Sequence, residues 1–131
     1  MLSPLLFSMF INDLRDIIRH CSSHMFADDF HLYFSHPISE MDEAVKLING
    51  VLESIVSWAT RNRLLINAGK WKALAISRPE VLFNPKFEIG GEIIPVVDKA
   101  KVLGVWINKT LTWDDHCREV TKKIYKGLWA L

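Results

Sequence analysis

Apolar residues recur at helical spacing near both ends of the chain. The first stretch follows Ser3-Pro4, a pair that favours a helix start, and its pattern predicts a helix that ends near His20. The last stretch lies within 111–131, where apolar residues are three or four positions apart, and Thr112 is placed to cap it. Both ends of the chain are therefore predicted to be helical.

The clearest helical stripe lies in the middle of the chain. We predict a main helix over 39–62, in which Ser39 caps the first turn and Asp42, three residues later, completes a capping box. Its apolar positions alternate steps of four and three residues: Met41, Val45, Ile48, Leu52, Ile55 and Ala59. Such a stripe buries one face of a helix and leaves the opposite face to solvent.

Short aromatic and β-branched runs predict strands between these helices. Two runs within 24–34 flank Ala27-Asp28-Asp29, which is predicted to be the turn of a hairpin. Gly90-Gly91 is a two-residue hairpin signal between 87–89 and 92–94. Further strands are predicted at 64–66, 73–76 and 102–107. This order of elements indicates an α+β fold, an antiparallel sheet with helices on one face.

Composition adds an asymmetry of charge. The chain has 131 residues, half of them hydrophobic, a mean hydropathy of +0.13 and a net charge of +1, which argues against disorder. Residues 1–60 carry eight acids and three bases, a net charge of −5, whereas residues 61–131 carry thirteen bases and seven acids, a net charge of +6. This division suits a protein that binds metal ions at one end and a polyanion at the other, although uneven surface solvation also explains it.

Cysteine usage and the first residues bear on the location of the protein. Cys21 and Cys117 have no Cys-x-x-Cys partner, so no zinc site or disulfide framework is indicated and a reduced, intracellular protein is expected. The apolar run at 5–11 has no basic segment before it and is soon followed by charged residues. Neither a signal peptide nor a membrane span is expected there.

The acidic turn is the strongest candidate for chemistry. Its adjacent carboxylates, Asp28 and Asp29, repel each other unless a cation or solvent compensates. Because successive strand side chains point to opposite faces, we expect one of them to bind a divalent metal and the other to support it. Hard oxygen ligands suit Mg²⁺, and two such ions can drive nucleotidyl transfer. An Asp-Asp pair by itself is also compatible with a solvated turn.

The residues around this turn resemble those of a known family. Phe26-Ala27-Asp28-Asp29 is similar to the Tyr/Phe-Ala-Asp-Asp box of reverse transcriptases. Residues 2–14 resemble the Ser-Pro-x-Leu-Phe and Ile-Asn-Asp-Leu segments that precede this box in non-LTR retrotransposons. Later segments match in the family's order: Trp58, Leu65 to Lys70, Leu103 to Ile107, and Leu111 to Trp113. The chain therefore resembles the palm of an RNA-directed DNA polymerase (a reverse transcriptase) from a non-LTR retrotransposon of the LINE, jockey-like type.

The resemblance implies a catalytic centre at the turn. Asp28 corresponds to the metal-binding aspartate of the box and Asp29 to its less directly engaged neighbour, with Mg²⁺ or Mn²⁺ as the implied cofactor. Phe26 stands where the family has an aromatic residue near the primer end. Lys70 matches a lysine that approaches the incoming nucleotide, and a solvated lysine is the simpler alternative.

Other positions are tied to the family less directly. Gly104 and Trp106 fall in the segment that resembles the primer-gripping hairpin, although a buried strand with a close-packed glycine would give the same pattern. A basic run on the last helix suits phosphate contact if that helix begins a thumb, and a solvated polar face also explains it: Lys122, Lys123 and Lys126. Three histidines show no ligand spacing and are assigned no chemistry: His24, His31 and His36.

The resemblance also divides the chain. Residues 1–110 correspond to a partial palm, with its strand region at 64–107, and residues 111–131 to the start of a thumb-like helix. A further catalytic aspartate and a Gln-Gly pair should lie upstream of Met1, and the fingers and most of the thumb are also absent, so we expect the chain alone not to polymerise DNA. The implied partners are an RNA template, a DNA primer, dNTP and the remaining segments of the parent polyprotein, in the nucleus and without a membrane.

Two other classes of function fit parts of the pattern. A non-catalytic remnant or domesticated module would keep the fold and only bind nucleic acid or protein. A phosphoacceptor receiver domain also uses paired acids, but there they end a parallel strand that leads into a helix. Asp29 leads instead into the strand-like run 30–34, so we set the receiver interpretation aside.

Overall fold

The chain forms two compact units of helices and short strands, consistent with the predicted α+β class. The structure, a computed structural model, describes residues 2–27 and 29–130. The first unit comprises Met1–Lys70 and Lys86–Ile94, and the second Trp71–Pro85 and Pro95–Leu131. The elements in chain order are α1 (Leu2–Phe10), α2 (Leu14–Ile17), β1 (Ser22–Phe26), β2 (Asp29–Tyr33), α3 (Met41–Arg61), β3 (Ala73–Leu74), β4 (Phe87–Ile89), β5 (Glu92–Ile94), β6 (Val96–Val97), β7 (Lys99–Val102), β8 (Val105–Asn108) and α4 (Asp114–Trp129).

The first helical stretch is broken, where a single helix was predicted. Between α1 and α2 the backbone turns, and Leu14 N donates to the carbonyl of Ile11, only three residues back, at 3.1 Å. The break lets Ile11 and Leu14 both be buried, and it puts Asp13 where its carboxylate accepts a hydrogen bond from Trp58 Nε1 at 3.2 Å. The prediction was wrong here because helical spacing does not reveal a tertiary hydrogen bond that competes with the helix.

Helix α3 is the centre of the first unit. Its buried face consists of Ala44, Val51, Leu52, Ile55, Trp58 and Ala59. The predicted cap at Ser39 is wrong, because a 3-10 turn at Ile38–Glu40 precedes the helix and no side chain caps it. At the other end Arg63 takes a left-handed φ of 56°, and Leu64 N donates to the carbonyl of Ala59 at 2.8 Å. This is the Schellman arrangement, which usually has glycine in the place of Arg63.

The β4–β5 hairpin predicted from Gly90-Gly91 is present, and it packs against α3. Both glycines have positive φ, 58° and 84°, as a tight two-residue turn requires. Ile89 and Ile94 are buried, and the Asn49 side chain of α3 bonds to the backbone of the hairpin, accepting from Glu88 N at 3.0 Å. Residues 64–66 form no strand, in contrast to the prediction, and have no regular secondary structure.

The second unit joins two small sheets to α4. Strands β3 and β6 pair in parallel, and the strand predicted over 73–76 is only two residues long. The strand predicted over 102–107 is instead the antiparallel hairpin β7–β8, with its turn at Leu103-Gly104. Thr112 does not cap α4, which begins at Asp114 without a side-chain cap.

The strands do not combine into one sheet within the described ranges. They form four two-stranded sheets, three antiparallel and one parallel, instead of the predicted antiparallel sheet with helices on one face. Alternation of apolar residues predicts a strand but does not determine which strands pair, and strands of two to five residues leave that choice open. Of the helices at 2–27 and 29–130, none has the length and apolar composition needed to cross a bilayer.

Candidate functional site

The Phe-Ala-Asp-Asp box lies at the tip of the β1–β2 hairpin. Phe26 is directly opposite Asp29, so Asp29 belongs to the β1–β2 ladder, whereas it was predicted to lie in the turn. Asp29 is the first residue of β2 and its side chain is exposed. Asp28, the residue predicted to bind metal most directly, lies outside the described residues. The structure therefore places one of the two carboxylates.

Ala27 holds this turn in a strained conformation. Its φ is 54°, in the left-handed region that costs a residue with a side chain about 1–2 kcal/mol. Two-residue hairpin turns favour positive φ because it matches the right-handed twist of the strands. Strain of this kind persists where the surrounding structure requires it, and it clusters at functional sites. Four other non-glycine residues in the described ranges also have positive φ (His20, Arg63, Leu103 and Leu111), so the strain at Ala27 marks a tight turn and does not by itself identify a functional site.

The register assigns side chains to the two faces of the hairpin. Directly opposed residues share a face, so Phe26 and Asp29 lie on the same side, with the pair His24 and His31 two positions behind them. The Phe26 ring is 62% exposed. The tip therefore offers an aromatic surface beside a carboxylate, both open to a substrate.

The donors of this tip are of the type that Mg²⁺ and Mn²⁺ prefer, since carboxylate oxygens are hard ligands. Residues 2–27 and 29–130 contain no group of three or more His, Cys, Asp or Glu side chains placed to hold a metal ion. A divalent ion bound by one or two carboxylates keeps several waters and takes its other ligands from elsewhere. Among the described residues the exposed Asp29 carboxylate is of this donor type, and metal binding at the tip stays a prediction.

Lys70 lies in the same unit as the box but in a separate segment. It ends a 3-10 turn, Ala68–Lys70, whose backbone packs beside β5. The side chain is exposed, and in the described part of the chain no hydrogen bond or ion pair joins it to Phe26 or Asp29. The role in nucleotide binding stays a prediction.

Gly104 and Trp106 belong to the second unit, at the turn and in the second strand of β7–β8. Leu103 and Gly104 have positive φ, 49° and 86°, which identifies a tight two-residue turn. A Cβ added to Gly104 would meet nothing within 4 Å. The close-packed glycine considered from the sequence is therefore wrong, and Gly104 is required by the backbone conformation.

Side chains of α4 fasten this second hairpin. The backbone N–H of Trp106 donates to His116 Nδ1 at 3.3 Å, and Lys99 Nζ lies 5.4 Å from the centre of the Trp106 ring. Lys99 also pairs with Asp115 at 3.2 Å. These contacts fix Trp106 from its backbone and from one face of its ring.

Asn108 is the most connected polar side chain of the second unit, and sequence reasoning missed it. It is 8% exposed, and its amide nitrogen donates to Thr112 Oγ1 at 2.7 Å and to Asp115 Oδ2 at 3.1 Å. Its oxygen accepts from Thr112 N at 2.8 Å and from Thr110 Oγ1 at 3.3 Å. The amide of Asn108, followed by Lys99, holds the pKa of the Asp115 carboxyl below its usual value.

Comparisons with known proteins agree with the family resemblance of the Phe26-Ala27-Asp28-Asp29 box. The family model described as reverse transcriptase (RNA-dependent DNA polymerase) matches residues 1–107. A probable RNA-directed DNA polymerase from transposon BS of Drosophila melanogaster is 27% identical over an alignment that covers 99% of this chain and 15% of that protein. The chain thus spans about 15% of the length of this relative. No solved structure matches the chain. Since the family model covers the box, Lys70 and the β7–β8 turn, the chain belongs to the reverse transcriptase (RNA-dependent DNA polymerase) family.

Proposed function

We propose that this chain forms part of the palm of an RNA-directed DNA polymerase from a non-LTR retrotransposon of the LINE, jockey-like type. The observation that carries the proposal is the β1–β2 hairpin. It presents Phe26 and Asp29 as an opposed, exposed pair across a two-residue turn that contains Ala27 and Asp28. This arrangement places an exposed carboxylate and an exposed aromatic ring on the same face of the hairpin, which suits a metal ion beside a primer end.

Asp28 and Asp29 are the residues that would hold Mg²⁺ or Mn²⁺. When bound, such ions supply activation of the primer hydroxyl and stabilisation of the leaving pyrophosphate. The chain's own contribution is to position these carboxylates on a short turn and to offer the Phe26 ring for packing against the primer end. Lys70 would supply an ammonium group that neutralises charge on the incoming dNTP.

The second unit would serve the nucleic acid. In the proposed division residues 1–110 are palm and residues 111–131 begin a thumb-like helix. Gly104 and Trp106 would contact the DNA primer, with the RNA template beyond it. The exposed basic face of α4 is suited to phosphates: Lys122, Lys123 and Lys126.

We further propose that the 131-residue chain does not polymerise DNA by itself. Two-metal transfer needs more carboxylate ligands than one hairpin turn carries. The remaining ligands, the fingers and most of the thumb would come from other segments of a parent polyprotein, working in the nucleus where a retrotransposon copies itself.

Primer extension tests both proposals. The chain alone is given an oligo(dT) primer on poly(rA) with Mg²⁺ and dTTP, beside a fusion in which it replaces the matching segment of the Drosophila relative. We expect no extension by the chain alone. We expect extension by the fusion, lowered at least about a hundredfold by Asp28→Asn, the scale on which removing one transition-state-stabilising group acts. The matched control is Asp98→Asn, whose carboxylate is exposed in the second unit.

The outcomes separate the alternatives. Extension by the isolated chain that Asp28→Asn abolishes would overturn the proposed inactivity. Extension by the fusion that is indifferent to Asp28→Asn would overturn the catalytic role of the box. Salt-sensitive binding of the isolated chain to the primer–template hybrid, together with an inactive fusion, would favour a non-catalytic binding module instead.

A further inference from the structure

Two histidines face each other across the hairpin that carries the box. His24 of β1 and His31 of β2 are direct partners in the antiparallel ladder. Directly opposed residues project from the same face, with Cβ atoms about 4.5–5.5 Å apart. The two imidazoles therefore start close enough to converge on one ion, since two nitrogens each about 2.0–2.1 Å from a metal are only a little more than 3 Å apart.

The His31 ring has an atom that the hairpin leaves unsatisfied. Its Nε2 is buried and has no hydrogen-bond partner in the described part of the chain. A buried ring nitrogen without a partner is unfavourable, because it has lost water and gained nothing in exchange. A metal ion held between His31 and the exposed His24 would give this nitrogen the ligand that it lacks.

We propose that His24 and His31 form a binding site for one transition-metal ion of the imidazole-preferring class, represented by Zn²⁺, Ni²⁺ and Cu²⁺. Neutral imidazole is the commonest protein ligand for these metals. No third His, Cys, Asp or Glu among the described residues completes a group with the pair, so water fills the remaining positions once the His31 ring turns Nε2 towards His24 and the solvent. The site is thus an open two-histidine chelate.

This site differs from the proposed Mg²⁺ or Mn²⁺ position in ligand chemistry and in place. The box offers carboxylate oxygens at the turn, whereas the histidine pair offers nitrogens two ladder positions away from it. Oxygen donors select Mg²⁺ and Mn²⁺, and imidazoles select the later transition metals, so millimolar Mg²⁺ is not expected to compete for the pair. The proposal does not depend on polymerase activity, since the pair is defined by the ladder alone.

A metal bound to both histidines would tie β1 to β2. It would close a loop of eight residues, from 24 to 31, that contains the whole box turn. Binding to the folded hairpin and not to the open one stabilises the closed ladder. The amides of β1 and β2 should therefore exchange with solvent more slowly when the site is loaded.

Calorimetric titration with NiCl₂ tests the proposal on the 131-residue chain in a Cys21→Ser, Cys117→Ser background, which removes the two free thiols. We expect one Ni²⁺ per chain, with affinity lowered at least about tenfold by His24→Ala and by His31→Ala. The matched control is His20→Asn, in which the affinity of the chain for Ni²⁺ should stay unchanged. His20 is exposed and has a left-handed φ of 67°, which asparagine tolerates.

Amide hydrogen exchange is a second measurement of Ni²⁺ binding that does not depend on the heat of binding. Ni²⁺ should slow exchange of the β1 and β2 amides in the parent protein and leave them unchanged in His24→Ala. His24 is exposed, so this variant keeps the ladder even if His31→Ala weakens the fold. Ni²⁺ binding that survives both histidine substitutions, or that 10 mM MgCl₂ abolishes, would show that the pair is not the site.

Discussion

The two hairpins that carry the candidate site residues begin their turns in the same backbone conformation but are supported in different ways. Strands β1–β2 and β7–β8 each close through two residues, and the first of them has a left-handed φ, 54° at Ala27 and 49° at Leu103. Each turn therefore places a side chain in a conformation that glycine adopts at lower cost. The difference between the hairpins lies in what holds this shape.

The β7–β8 hairpin is fastened from its own unit. Asn108 makes four hydrogen bonds, three to the loop that follows β8 and one to Asp115 in the first turn of α4, and His116 accepts the backbone N–H of Trp106. At the tip of β1–β2, in contrast, Phe26 and Asp29 are exposed, and behind them the His31 Nε2 atom is buried and unsatisfied. Under the proposed function, a hairpin that contacts the primer can be held by its neighbours, whereas one that offers carboxylates to metal ions needs an open tip.

The first test of this comparison removes the Asn108 hydrogen bonds that support β7–β8. Asn108→Ala deletes four hydrogen bonds at a buried site and leaves Thr112 N–H and the Asp115 carboxylate without this partner. We expect a loss of about 2–4 kcal/mol in the free energy of unfolding, because each of the four lost hydrogen bonds contributes about 0.5–1.5 kcal/mol. Urea unfolding measures the loss, and amide exchange should place it in β7–β8. The exposed Asn84→Ala is the control and should change stability by less than about 0.5 kcal/mol.

Substitution of the turn glycine is the next largest change. Gly104→Ala puts a Cβ on a residue with φ of 86°, which should destabilise β7–β8 by about 1–2 kcal/mol through backbone strain alone, since an added Cβ meets no atom within 4 Å. The matched control is Gly50→Ala inside α3, where an added Cβ also has open space and alanine favours the helix by up to about 1 kcal/mol. Equal effects at both positions would contradict the assigned turn.

The strain at the box can be released by the opposite substitution. Ala27→Gly gives the turn a residue suited to φ of 54° and should stabilise β1–β2 by about 0.5–1 kcal/mol, the relief of strain less the greater chain entropy of glycine when unfolded. Slower amide exchange in β1 and β2 would report the gain. Leu103→Gly should act in the same direction on β7–β8, and a loss of stability in either variant would contradict the left-handed turn.

Low pH should lower the stability of the β7–β8 hairpin through protonation of Asp115. Its folded pKa lies below the ordinary 3.8 because Asn108 and Lys99 favour the carboxylate. A depressed folded pKa stabilises the fold above the unfolded pKa, and this contribution is lost as the pH falls through the folded value. Asp115→Asn should therefore remove part of the fall in β7–β8 stability below about pH 3.8, and the difference between the two proteins isolates this carboxyl. Since the Asp115 side chain is solvent-accessible, this change in stability should be smaller than those expected at Asn108, Gly104 and Ala27.

The sequence predicted the elements that rest on local patterns. The apolar stripe of 39–62 appears as α3, and Gly90-Gly91 forms the predicted turn, because periodicity and paired glycines act within a few residues. The box hairpin was also located, but its turn was predicted one residue too long. A shift of one residue changes every cross-strand pair, which is why the opposition of His24 and His31 was not seen.

What the sequence did not predict depends on contacts distant along the chain. The break between α1 and α2 is associated with Asp13 bonding Trp58, 45 residues later. The hydrogen bonds of Asn108 come from a polar side chain at the end of β8, and the spacing of apolar residues does not mark this position. The turn at Leu103-Gly104 was read as strand because leucine rarely takes a positive φ. In each case a tertiary contact or a paired strand outweighed local preference.

The central claim is that the box turn binds the divalent ions of a polymerase. Paramagnetic broadening by Mn²⁺ in an NMR spectrum of the 131-residue chain tests it directly, since Mn²⁺ prefers carboxylate ligands and broadens nearby amide signals even when bound weakly. We predict that the amides of 26–30 broaden first and that Asp28→Asn removes the effect, while Asp114→Asn does not. Broadening that Asp28→Asn leaves intact, or that is strongest around Asp114 and Asp115, would contradict the account.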